Sequence, residues 1–172
     1  MRVFVFAAAL LFGVQFSVAS AVEPVASFEK IIARGKEAVD QFTLVHFNKG
    51  QSTWRKHRYT VSNMKYDVKK TDSLVSPVVA VVTFDFIDDS SAPFQTKEGA
   101  DATVDYDPEF KIICYTTLNY AFTSEAWVLK GGVYKPMAAA IEKRPQMAFP
   151  IDPDKLTPET ERVHWAVIRF LP

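Results

Sequence analysis

The chain reads as an α+β domain: an N-terminal helix packed on a curved antiparallel sheet of about four strands, followed by a Pro-rich C-terminal arm. Three observations predict this. Apolar residues recur at helical spacing from Phe28 to Phe42. From Trp54 to Tyr134 the apolar period falls to two, in segments joined by hairpin-scale turns. Within the first of these segments the apolar parity flips, and the one-residue bulge that would repair it also bends a sheet.

The first 21 residues read as a signal peptide. Arg2 precedes an apolar run from Val3 to Phe16, and Val18-Ala19-Ser20-Ala21 offers a cleavage site after Ala21. A bilayer-spanning helix needs roughly 20 apolar residues, and this run is shorter. The expected location is therefore secreted or periplasmic, with no membrane association after cleavage. Residues 22–136 are expected to form the helix-plus-sheet domain, and 137–172 a Pro-rich extension packed on it.

Composition bounds the partners and the source of stability. Lys plus Arg and Asp plus Glu each number 20, and only Arg2 is lost with the leader, which leaves the mature chain near −1. Nucleic-acid binding needs a basic excess to displace counterions, so nucleic acid is excluded as a partner. Cys114 is the only cysteine, so no intramolecular disulfide forms and the fold rests on apolar burial. The chain is 48% hydrophobic, with 14 Phe, which supplies material for one core.

Phe28, Ile31, Ile32, Gly35, Val39 and Phe42 make the apolar stripe of the helix, with charged residues opposite. Ser27 is its expected N-cap, and the helix should end near Gln41. Gly35 on the apolar stripe predicts close contact with the sheet. Asn48-Lys49-Gly50 is a turn. In the strand from Trp54 to Val68, Tyr59 and Val61 share one face, and Met64, Tyr66 and Val68 have the opposite parity. The bulge is therefore placed near Ser62-Asn63.

Pro77 to Ile87 is the strongest strand, with Val78, Ala80, Val82, Phe84 and Phe86 on one face. Residues 90–109 are polar, with a turn of helix around Lys97 to Ala102. Strands resume from Phe110 to Phe122 and, after the tight Ser124-Glu125 connection, from Ala126 to Tyr134. Trp127 and Leu129 should point inward. Prolines at 136, 145, 150, 153 and 158 limit regular structure in the tail, where Met147, Phe149 and Ile151 are the expected anchors. Thr157-Pro158-Glu159 resembles a helix start. Val163, Ala166, Val167 and Phe170 fit a helical face, and the same stretch fits a terminal strand equally well.

No catalytic motif stands out. Cys114 lies between apolar strand neighbours, which favours a buried structural thiol. His46, His57 and His164 match no zinc spacing, and no metal site is expected. Asp101, Asp105, Asp107 and Glu109 carry alternate carboxylates but lack the glycine and distal glutamate of a calcium loop, so a solvated loop is the better reading. Asp85 falls on the face opposite Phe84 and Phe86, facing solvent or lining a pocket. No G-x-S-x-G and no phosphate-binding glycine loop is present, and no cofactor is implied.

The element order across 25–136 resembles the cystatin-like and ketosteroid-isomerase-like architectures, in which a curled sheet wraps an N-terminal helix. Tyr66–Pro77 and Glu125–Pro136 resemble segments of uncharacterised secreted bacterial proteins. Such a sheet leaves a concave face, on which Trp54, Tyr59, Tyr66, Tyr120 and Trp127 are the candidate ligand-binding residues if they do not simply fill the core. The expectation is an exported, non-catalytic domain that binds a protein partner or a small apolar ligand. The alternatives are a small isomerase- or dehydratase-type enzyme with a cone-shaped pocket, and a structural envelope component.

Overall fold

In a computed structural model, residues 23–138, 147–156 and 162–172 are described. The signal-peptide reading and the helix start at Thr157-Pro158-Glu159 lie outside the described residues. Helix α1 spans Pro24–Asp40 and is followed by strands β1 (Thr43–Asn48), β2 (Thr53–Lys70) and β3 (Val78–Ser90). The short helix α2 is Lys97–Ala102, and β4 (Ile112–Thr123) and β5 (Ala126–Ala138) form the next hairpin. Strand β6 (Phe149–Ile151) and helix α3 (Arg162–Arg169) complete the described fold.

The described strands form one antiparallel sheet in the order β1-β2-β3-β4-β5-β6, each paired with its neighbour in sequence. The sheet thus has six strands rather than about four. The two additional strands, β1 and β6, are short: β1 is six residues and β6 only three. Neither carries a clean period-two signal, because pairing at a sheet edge demands little alternation. In the tail, α3 resolves the helix-or-strand ambiguity in favour of helix.

The bulge falls where the parity flip places it. The register of β2 against β3 shifts between Ser62 and Lys65, and Asn63 adopts a left-handed φ of 50°. One extra residue returns Met64 and Val68 to the core side occupied by Tyr59 and Val61. Tyr66 shares that side but is 43% exposed, and its hydroxyl donates to Glu29 Oε1 at 2.7 Å.

Helix α1 begins at Pro24, so Ser27 lies within its first turn and is not the N-cap. Its hydroxyl instead donates to Pro24 O at 2.9 Å and accepts from Trp127 Nε1 at 3.0 Å. Strand β5 is thereby tied to the start of α1. At the other end, Asp40 Oδ1 accepts from Val61 N at 2.8 Å, which fixes the helix terminus to β2.

The core lies between the inner sheet face and the two helices. Phe28, Ile32 and Val39 of α1 meet Val82, Leu118 and Tyr120 of the sheet, while Ala166, Val167 and Phe170 close the layer from the C-terminal side. The nearest neighbour of Gly35 is this C-terminal segment: Phe170 lies over it and stacks on Phe84 of β3 with ring centroids 4.8 Å apart. Of the three expected tail anchors, Ile151 is buried, Phe149 stacks on Tyr134, and Met147 is 70% exposed.

Candidate functional site

The inner face changes character along the sheet. Beneath the helices it is apolar; toward β1 it carries Arg55, His57, Asp88 and Ser90, all buried. The β2–β3 register sets His57 opposite Ser90 and Tyr59 opposite Asp88. His57 Nδ1 lies 2.8 Å from Asp88 Oδ1 and 2.7 Å from Ser90 Oγ. Arg55 donates to Ser91 O at 3.2 Å and lies over the Phe110 ring at 3.8 Å.

The residue types match a Ser-His-Asp triad, but the connectivity does not. In a triad the carboxylate and the nucleophile occupy opposite ring nitrogens, so that the imidazole passes a proton between them. Here both groups converge on Nδ1, and His57 is 2% exposed. The arrangement ties β2 to β3 by buried polar contacts, and it acts as a structural clasp. Spacing along the chain could not reveal this cluster, since it exists only once the bulge has set the strand register.

Cys114 is buried on β4, across from Phe86 on β3. Burial, assisted by the negative charge of Asp88, pushes its thiol up to about 12. A thiol held in the protonated state is a poor nucleophile. His46 and His57 approach with ring centroids 6.3 Å apart, whereas His164 packs against Tyr134. Among the described residues no group of three or more metal-ligating side chains is gathered. In the acidic loop, Asp107 Oδ1 accepts from Glu109 N at 2.9 Å, which caps a short turn.

Of the five aromatic residues expected on the concave face, Tyr66, Tyr120 and Trp127 gather around Phe28, Tyr59 packs beside Phe86, and Trp54 lies on the other face of the sheet. Tyr59, Tyr120 and Trp127 are buried in the core. Phe28 meets both Tyr120 and Trp127 edge-on or tilted, at 5.2 and 4.8 Å. The Tyr120 hydroxyl donates to Phe170 O at 2.9 Å. Burial pushes that phenol above its ordinary range. Tyr66 stands at the rim. Trp54 has the opposite strand parity from Tyr59, packs against Phe47, and bonds through its backbone to Phe94.

The outer face holds a shallow cleft of about 270 Å³ at the β2 bulge. Asn63, Lys65, Asp85 and Tyr115 line it, and Asn63 Nδ2 donates to Asp85 Oδ2 at 2.6 Å. Asp85 thus lines a pocket on the outside of the sheet.

The β1 edge is the remaining feature. Tyr59 N donates to Phe42 O, which makes Phe42 and Tyr59 a hydrogen-bonded antiparallel pair. Such pairs alternate along a ladder, so Leu44, His46 and Asn48 direct their backbone groups at β2. Thr43, Val45 and Phe47 direct theirs away from the sheet. Their opposite numbers agree: Trp54 and Lys56 bond on the β3 side, to Phe94 and Ser91. Leu44 and Phe47 are each more than a third exposed.

No family model, curated protein or solved structure matches the chain. Its class is set by the fold: an α+β domain in which a helix packs on a curled antiparallel meander. No helix among the described residues is long and apolar enough to cross a membrane.

Proposed function

We propose that this chain is an exported, non-catalytic binding domain whose protein partner adds a strand to the sheet at β1. The observation that carries the reading is the outward direction of the Thr43, Val45 and Phe47 backbone groups on a strand without formal charge. An exposed edge of this kind is a template for pairing, and natural proteins usually blunt it with lysine, proline or a bulge. The free half of β2 follows that rule with Lys65, Asp67, Lys69 and Lys70, and β6 carries Pro150. Strand β1, TLVHFN, does not. Main-chain bonds would supply affinity, and Leu44 and Phe47 the side-chain selectivity. The filled inner face and the shared ring nitrogen of His57 favour binding over catalysis. Hydrogen exchange tests the reading. An extended peptide of alternating apolar residues should slow the Thr43, Val45 and Phe47 amides selectively. Unchanged exchange at all three, across a panel of such peptides, would remove the support for it.

A further inference from the structure

We infer that the partner this edge fits is a second copy of the chain, paired antiparallel about a two-fold axis through Val45. The inference rests on the strand-addition reading and names its partner.

The argument is one of register. Pairing must set like faces together, or every side chain would change sides of the combined sheet. Centring on Val45 opposes Thr43 to Phe47 of the second copy, Leu44 to His46, and Val45 to itself. Thr43, Val45 and Phe47 then form hydrogen-bonded pairs, and all six outward N–H and C=O groups of each copy are satisfied. Centring on Leu44 or on His46 satisfies only four of those six within the strand. The His46 centre also sets two imidazoles opposite one another, which repel when protonated. The Val45 register is self-complementary, as an isologous contact requires.

Charge agrees beyond the strand ends. The same register carries Lys49 toward Gln41 of the second copy, at the C-terminal end of its α1. The last turn of α1 holds no basic side chain of its own; Lys36, from the turn before, pairs with Asp40, and Gln41 Nε2 donates to Glu37 Oε1 at 3.2 Å. A cation arriving at that helix end meets both the dipole and a carboxylate. Within the strand no formal charge opposes another. The contact is smaller than a standard interface, so association should depend on concentration.

The test uses the full chain as the cell processes it. Sedimentation equilibrium from roughly 10 μM to 1 mM, where contacts below standard size associate, should show a monomer–dimer equilibrium. Val45→Lys and Val45→Pro should both shift it to monomer, and at about 10 μM, the monomeric end of the range, Val45→Pro should keep the parent Tm, since the Val45 N–H points out of the sheet. Under mild oxidation Val45→Cys should cross-link at least roughly tenfold more than Thr43→Cys. Two Thr43 side chains would lie about four residues apart along the ladder, beyond disulfide reach. A monomer throughout the range, or equal cross-linking of the two cysteine variants, overturns the self-pairing. In that event the acetylated, amidated hexapeptide TLVHFN separates the two ideas. Slowed exchange at Thr43, Val45 and Phe47 in a monomer overturns the dimer and leaves strand addition standing; no slowing with this peptide or with the panel of alternating apolar peptides removes both.

Discussion

A Cβ at Gly35 would lie 2.7 Å from Cε1 and 2.8 Å from Cγ of Phe170. The helix and the C-terminal segment, 135 residues apart in sequence, touch through this missing side chain. Gly35→Ala forces the ring off Phe84 or the helices apart, and overpacking of this kind costs about 1–3 kcal/mol. Urea unfolding should show that loss, and Phe170→Leu in the same chain should recover part of it. Additive losses from the two changes would contradict the contact.

The β4–β5 hairpin turns on Ser124 and Glu125, both non-glycine residues at left-handed φ, 49° and 65°. Two such residues form the turn that matches strand twist, for which Asn-Gly is the preferred pair. Replacing Ser124-Glu125 by Asn-Gly should stabilise the chain by about 1 kcal/mol, read as a rise in Tm of a few degrees. A fall in Tm would show that Glu125 makes a contact worth more than the strain.

Stability should decline in alkali in two stages. The Cys114 thiol, ordinarily near 9.0, is pushed up to about 12 by burial. The folded state therefore holds this proton after the unfolded chain has released it. The stabilisation is fully present below pH 9 and is lost as pH rises toward 12, at roughly 1.4 kcal/mol per pH unit. Tyr120, raised above 10.0 by burial, steepens the fall at higher pH. Denaturation followed against pH should show the onset near pH 9, and Cys114→Val should delay it to the tyrosine range. An onset unchanged by that substitution would assign it to other groups.

Breaking the His57–Asp88 contact should destabilise the fold. Asp88→Ala leaves a buried imidazole short of its carboxylate, a loss of about 3–5 kcal/mol if the pair is charged and about 1–3 kcal/mol if neutral. Asp88→Asn, which keeps the shape and an acceptor, should cost less. Chemical denaturation reads both. Equal costs would mean that the charge at Asp88 carries the whole contribution and that shape and the remaining acceptor add nothing.

The fold was legible where burial imposes a period. The stripe Phe28–Val39, the alternation along β3 and the parity flip at Ser62-Asn63 are each direct consequences of one buried face. The turn of helix at Lys97–Ala102 was legible as well, where Thr96 now accepts from Gly99 N. The edges were not. Strand β1 is half exposed and six residues long, so burial writes no pattern into it. The candidate site suffered for the same reason, because its outward groups are backbone and carry no side-chain signature.

The residues alone determined the α+β class, the leading helix, the bulged strand and the burial of a lone thiol. Each follows from local periodicity and composition. Tertiary structure alone decided that Gly35 receives Phe170, that His57 meets Asp88 and Ser90 through one nitrogen, and that β1 forms an edge. Those facts depend on which strands lie side by side and in what register, and register is a property of the assembled sheet.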